Sequence, residues 1–101
     1  MKNRLLMWAC PDVAIYQDER ERNVIAEVEL PGVSKKDITL DAGEAGFCIT
    51  AQRDDARFDS CYWFDERVET GKIQAHFDNG LLRLTAPISR RELHQRRINV
   101  M

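Results

Sequence analysis

Apolar residues recur at every second position along much of this chain, the period of a strand that buries one face. Val13 and Ile15 share a face within residues 12–17, and Val24, Ala26, Val28 and Leu30 share one within residues 23–30. The charged run Asp18-Glu19-Arg20-Glu21-Arg22 between them predicts a solvated hairpin loop. Leu30-Pro31-Gly32-Val33 ends the second strand, since proline offers no ladder N–H and glycine suits the turn. Ser34-Lys35-Lys36-Asp37 predicts a single helical turn capped by Ser34. Alternation resumes with Ile38, Leu40 and Ala42, then with Phe47, Ile49 and Ala51, and Gly43-Glu44-Ala45-Gly46 between them has the composition of a turn. Residues 53–59 read as a short charged connection, and residues 60–64 as an aromatic strand with Tyr62 and Phe64 on one face and Trp63 on the other. After a loop over residues 65–72, Ile73, Ala75 and Phe77 share a face, as do Leu82, Leu84 and Ala86. Asn79-Gly80 between these two runs supplies the positive-φ residues that a tight hairpin needs. Helix-forming capacity is confined to the region of Ser34, residues 70–72 and residues 89–97.

About seven short strands, each with one apolar face, predict an all-β fold: an immunoglobulin-like antiparallel β-sandwich of two packed sheets, followed by a short extended C-terminal tail. A length of 101 residues supports one such domain and not two. The expected organisation is a short apolar N-terminal arm (residues 1–10), the sandwich (residues 11–87), and a tether with its tail (residues 88–101). Leu5, Leu6, Met7 and Trp8 follow Lys2 and Arg4 in the arm, but this run falls short of the roughly 7–15 apolar residues of a secretory leader. No stretch reaches membrane-spanning length.

Charge and chemistry narrow the function classes. A net charge of −2, with 32% of residues charged, implies no dominant electrostatic partner. Arg90, Arg91, Arg96 and Arg97, interrupted by Glu92, read as a solvated tether and not as a nucleic-acid surface. Three cysteines, Cys10, Cys48 and Cys61, show no C-x-x-C spacing and predict reduced thiols in a cytoplasmic protein. Cys48, Cys61, His76 and His94 are scattered singly, so no metal site is expected. Gly71-Lys72 is followed by Ile73, and position 66 is Glu, so no phosphate-binding loop is present. Ser60 and Ser89 lie in no nucleophile-elbow pattern, and Asp54-Asp55 has no apolar setting that would raise a carboxylate pKa. No catalytic residue and no cofactor are expected, and the chain does not read as an enzyme.

Several blocks in order carry a family resemblance: Pro11-Asp12-Val13-x-Ile15-Tyr16; Glu27-Val28-Glu29-Leu30-Pro31-Gly32-Val33-x-Lys35-x-Asp37-Ile38; Phe47-x-Ile49; Val68-x-x-x-Lys72-Ile73-x-Ala75; and Asn79-Gly80-Leu81-Leu82. Across residues 11–87 these resemble the α-crystallin domain of small heat-shock proteins, with Ala75, Asn79, Gly80 and Leu81 forming the signature turn. Ile98-Asn99-Val100 resembles the family's I-x-[IV] tail motif. The resemblance implies that Ile98 and Val100 dock in a groove of a neighbouring subunit, between the strands of Ile38 and Leu40 and of Leu82 and Leu84. It also implies client contact by Leu5, Leu6, Met7 and Trp8, and a dimer edge at Tyr62, Trp63 and Phe64 in the manner of animal relatives. The connection over residues 53–59 is too short for the exchanged loop of bacterial and plant relatives, and the arm is shorter than is usual in the family.

The function implied is an ATP-independent holdase whose partners are unfolding proteins and further copies of itself, with no nucleic acid and no membrane. Two alternatives stand beside it. One is an adaptor resembling the CS-type co-chaperone domains, which share the architecture and bind a specific folded partner. The other is a truncated subunit that co-assembles with a longer paralogue and limits oligomer size.

Overall fold

A computed structural model describes residues 7–89 and 98–101. Among the described residues, eight strands are arranged in two four-stranded sheets. They are β1 (Met7–Ala9), β2 (Val13–Gln17), β3 (Asn23–Glu29), β4 (Ile38–Ala42), β5 (Gly46–Arg53), β6 (Ala56–Trp63), β7 (Gln74–Asp78) and β8 (Leu81–Pro87). One sheet has the order β2-β3-β8-β7 and is antiparallel throughout; the other has the order β1-β6-β5-β4, with β1 parallel to β6. Single 3-10 turns occupy Lys35–Asp37 and Thr70–Lys72.

The alternation seen in the sequence becomes the inside of the sandwich. Leu30, Ile49, Leu84, Val28 and Val68 are the largest side chains completely removed from solvent, and Val24, Ala26, Phe47, Ala51, Phe58, Leu82 and Ala86 join them in one core. Burying each of the larger of these contributes about 1.5–3 kcal/mol before ordering costs.

Three local readings of the sequence are corrected. Residues 53–59 are not a loop, because β5 runs to Arg53 and β6 begins at Ala56, leaving Asp54-Asp55 as the turn. Ala56 and Phe58 alternate inward there at 3% and 4% exposure, and this outweighs the charge between them. Arg53 anchors the corner: its Nη1 donates to the Pro31 carbonyl at 2.6 Å and its Nε to Asp55 Oδ1 at 2.7 Å. Second, residues 65–72 conceal a core member, Val68, which bridges to Ile88. Third, the Ser34 side chain makes no capping bond; the turn closes through the Asp37 N–H to the Ser34 carbonyl at 2.9 Å.

All three connections that the sequence marks as hairpin turns, at residues 18–22, 43–46 and 79–80, join antiparallel strands. Asn79 and Gly80 have φ of 48° and 79°, the left-handed pair that a twisted two-residue turn requires. The Leu30 N–H donates to the Gly80 carbonyl at 2.7 Å and fixes this turn to the end of β3. In the β2–β3 connection the Asp18 carboxylate accepts from the Arg22 N–H at 2.8 Å, the Asn23 N–H at 3.2 Å and Asn23 Nδ2 at 2.7 Å. Those hydrogen bonds, the Asn23 side chain's foremost, hold the carboxyl below its ordinary pKa.

Candidate functional site

The sheet edges carry the positions that the sequence singled out. β6 is paired with β5 along its whole length, and its other side is covered by β1 only at Ala56–Phe58. Residues 59–63 are left as an open strand edge among the described residues. Trp63 at the end of this edge is 78% exposed. Tyr62 points inward, its ring centroid 5.3 Å from that of Phe47, and Phe64 is buried with its centroid 5.7 Å from the same ring. The three residues expected to form a dimer edge therefore divide, Trp63 outside and the other two packed from within. Gly46 faces Trp63 across the ladder, and a Cβ there would lie 2.1 Å from the Tyr62 carbonyl oxygen. A shallow groove of about 520 Å³ runs beside Trp63, bounded by Ala42, Gly46, Cys48 and Cys61.

The expectation of reduced thiols fails at Cys48 and Cys61, which form a disulfide on the exposed face of the β1-β6-β5-β4 sheet. The tight turn at Asp54-Asp55 explains it: a register that pairs Arg53 with Ala56 also sets Cys48 opposite Cys61. Reading residues 53–59 as a loop hid this register. Cys10 is free and exposed.

Of the apolar arm, Met7 and Trp8 lie in β1 and are 71% and 69% exposed; Leu5 and Leu6 lie outside the described residues. The Arg57 guanidinium lies 5.3 Å from the Trp8 ring centroid, and the Met7 N–H donates to the Asp55 carbonyl at 3.1 Å. β1 is an eighth strand that the sequence pattern did not announce.

At the opposite side of the sandwich, two further strand edges are open among the described residues. Only Cys10, Pro11 and Asp12 separate β1 from β2, a link reaching ~14 Å at most, which is little more than the roughly 10 Å between packed sheets. Since β1 and β2 are outer strands of different sheets, the other outer strands, β4 and β7, share the far side. Ile38 and Leu40 on β4, and Ile73 and Phe77 at β7, are half-buried against the common core. Ala75 between the last two is exposed, and Leu81 beyond the turn is half-buried. Leu82 and Leu84, expected to line the groove, are interior residues at 4% and 1% exposure, because β8 lies between β3 and β7. Ile98 and Val100 are 76% and 97% exposed, so they dock on no part of their own chain that is described. The tether arginines at positions 90, 91, 96 and 97 and His94 lie outside the described residues.

On the outer face of the β2-β3-β8-β7 sheet the Tyr16 hydroxyl donates to Glu27, and that bond raises the phenol pKa. Among the described residues no three His, Cys, Asp or Glu side chains gather as metal ligands would, and no helix is long and apolar enough to cross a membrane.

No protein-family model matches the sequence, and no curated protein aligns with it significantly. Solved structures do match. Heat shock protein 16.0 from Schizosaccharomyces pombe superposes with a TM-score of 0.75 at 20% identity, over 98% of this chain and 80% of that one. A small heat-shock protein from Xylella fastidiosa gives 0.66 at 20% identity over 90% and 95%, and HSP18.5 from E. histolytica gives 0.72 at 14% identity over 89% and 99%. Strand order, packing and these superpositions agree that the chain has the α-crystallin-type β-sandwich fold of small heat-shock proteins.

Proposed function

We propose that this chain is a small heat-shock-type chaperone, an ATP-independent holdase that captures unfolding proteins and assembles with copies of itself. The observation that carries this reading is an α-crystallin-type sandwich with large apolar side chains left outside its core, among them Met7 and Trp8 on β1, Trp63 on β6, and Ile98 and Val100 in the tail. Such surfaces bind exposed apolar segments of other chains without nucleotide, since burying apolar area on both partners is itself favourable.

Two self-contacts follow. Ile98 and Val100, spaced i and i+2, form a two-pronged plug for the β4/β7 side of a neighbouring sandwich, with Ile38, Leu40, Ile73 and Phe77 as the receiving side chains. Each plug residue adds about 1.5–3 kcal/mol before ordering costs, which makes a reversible joint. The open stretch of β6 pairs with its copy about a two-fold axis, Trp63 flanking the seam. The reading involves no catalysis, nucleic acid or membrane.

Light scattering of a heat-aggregating client tests the chaperone reading; suppression at near-stoichiometric ratios is expected, and an unprotected client at several-fold excess overturns it. Native mass spectrometry of the intact chain and of one ending at Arg97 tests the plug. Higher assemblies that collapse on truncation support it, and an unchanged mass favours an adaptor that binds one folded partner.

A further inference from the structure

Cys61 occupies the middle of the open stretch of β6, and its bridge to Cys48 crosses the outer face of the sheet. Three observations bear on what the pair does. Both residues are exposed, so a thiol in solution reaches the sulfurs without entering the core. The core does not depend on the bridge, because Phe47, Ile49, Tyr62 and Phe58 pack from the opposite face. The backbone of Cys61 also belongs to the open edge. The Phe64 N–H bonds the Ala45 carbonyl at 2.7 Å, so the alternation of an antiparallel ladder makes Gly46–Trp63 and Cys48–Cys61 the closely spaced, non-hydrogen-bonded pairs. The Cα–Cα separation of 4.0 Å at Cys48–Cys61 agrees. In such a pair the N–H and C=O of Cys61 turn away from β5, toward the side where an added strand would bond.

We propose that Cys48–Cys61 is a reversible thiol–disulfide exchange site for low-molecular-weight thiols, and that the bridged form presents β6 to a second copy of this chain more firmly than the reduced form does. The second half rests on the edge-pairing contact proposed above. A thiolate such as that of glutathione attacks one Sγ and forms a mixed disulfide, while the other cysteine leaves as thiolate and takes a proton. A second glutathione thiolate then attacks the mixed disulfide, releasing glutathione disulfide and the second protein thiol. Two electrons pass to the protein and two glutathiones are oxidised to one disulfide. With the bridge open, the middle of the β6 edge is held by neighbouring ladder bonds alone, and it pairs less tightly.

The test uses the full chain carrying Cys10→Ser, which removes the remaining thiol, in glutathione buffers of graded redox ratio. Bridge state is read by mass after alkylation, fold by circular dichroism, and association by sedimentation equilibrium, which needs no client. A parallel chain with Trp8→Phe isolates Trp63, whose emission a neighbouring disulfide quenches. Expected are a bridge that opens with the fold intact, a rise in Trp63 emission and a several-fold weaker self-association. Cys48→Ser with Cys61→Ser should show the weak value in every buffer. A bridge that opens only in urea strong enough to unfold the sandwich overturns the inference, as does equal or absent association in both redox states. Redox-dependent association without client protection would overturn the holdase reading and leave this one standing.

Discussion

On the inner face of the β5–β6 hairpin, Phe47, Ile49, Ala51, Ala56 and Phe58 are all at most 4% exposed, while on its outer face Cys48, Cys61 and Trp63 meet solvent. The same two strands thus serve two ends. The inner row fixes the sandwich, and its tolerance for change is small. The outer row contributes little to the core and carries the Cys48–Cys61 bridge and the Trp63 indole. Side chains that the core does not need are therefore where a sandwich of this kind can carry function.

The most direct break of that contrast is Ile49→Ala, which removes a side chain with no exposure at all. A loss of about 2–5 kcal/mol is expected in urea unfolding. Gly46→Ala should cost about 1–3 kcal/mol, since the new Cβ would sit 2.1 Å from the Tyr62 carbonyl oxygen and force β5 from β6 beside Trp63. Its sign appears both in the thermal midpoint and in Trp63 emission. Trp8→Ala lies wholly on the outside, and loss of the contact with Arg57 should lower stability by about 0.5–1 kcal/mol. Hydrogen exchange at the β6 residues facing β1 should accelerate while that of Ile49 and Leu84 holds.

The smallest effect belongs to an outside feature held by hydrogen bonds in place of burial. The Asp18 pKa is lowered from 3.8 in the folded chain, so its contribution is complete above that ordinary value and disappears as pH falls through the lowered one. The stability gap between the native chain and Asp18→Ala should be constant from neutral pH to about pH 4 and close in stronger acid. Urea midpoints across that range measure it.

Most of the inner surface was legible because burial writes itself as period two. Ala26-Glu27-Val28 and Leu82-Arg83-Leu84 both reveal their strands, and Asn79-Gly80 announces its turn through a backbone geometry that few residue pairs adopt. What escaped lay where that code is silent. Asp54-Asp55 turns the chain without glycine or proline, so charge disguised the start of β6 and the opposition of Cys48 and Cys61 with it. β1 is too short for a period to register, and it is held by a partner far away in the chain. Leu82 and Leu84 bear the right pattern for a groove, but the pattern does not tell an inner strand from an outer one; that required the strand order.

The parallel pairing of Met7–Ala9 with β6 has a consequence in time. Every other ladder contact of that sheet closes a hairpin between strands adjacent in sequence, whereas Met7 meets Ala56 only after the chain between them has been gathered in. Closing so long a loop for three residues of ladder is the least favoured pairing of the sheet, and it gains little until both neighbouring hairpins exist. Within its sheet the arm strand is therefore expected to pair last and to be lost first on warming, which would extend the open edge of β6 over Ala56–Phe58 while the two hairpins persist.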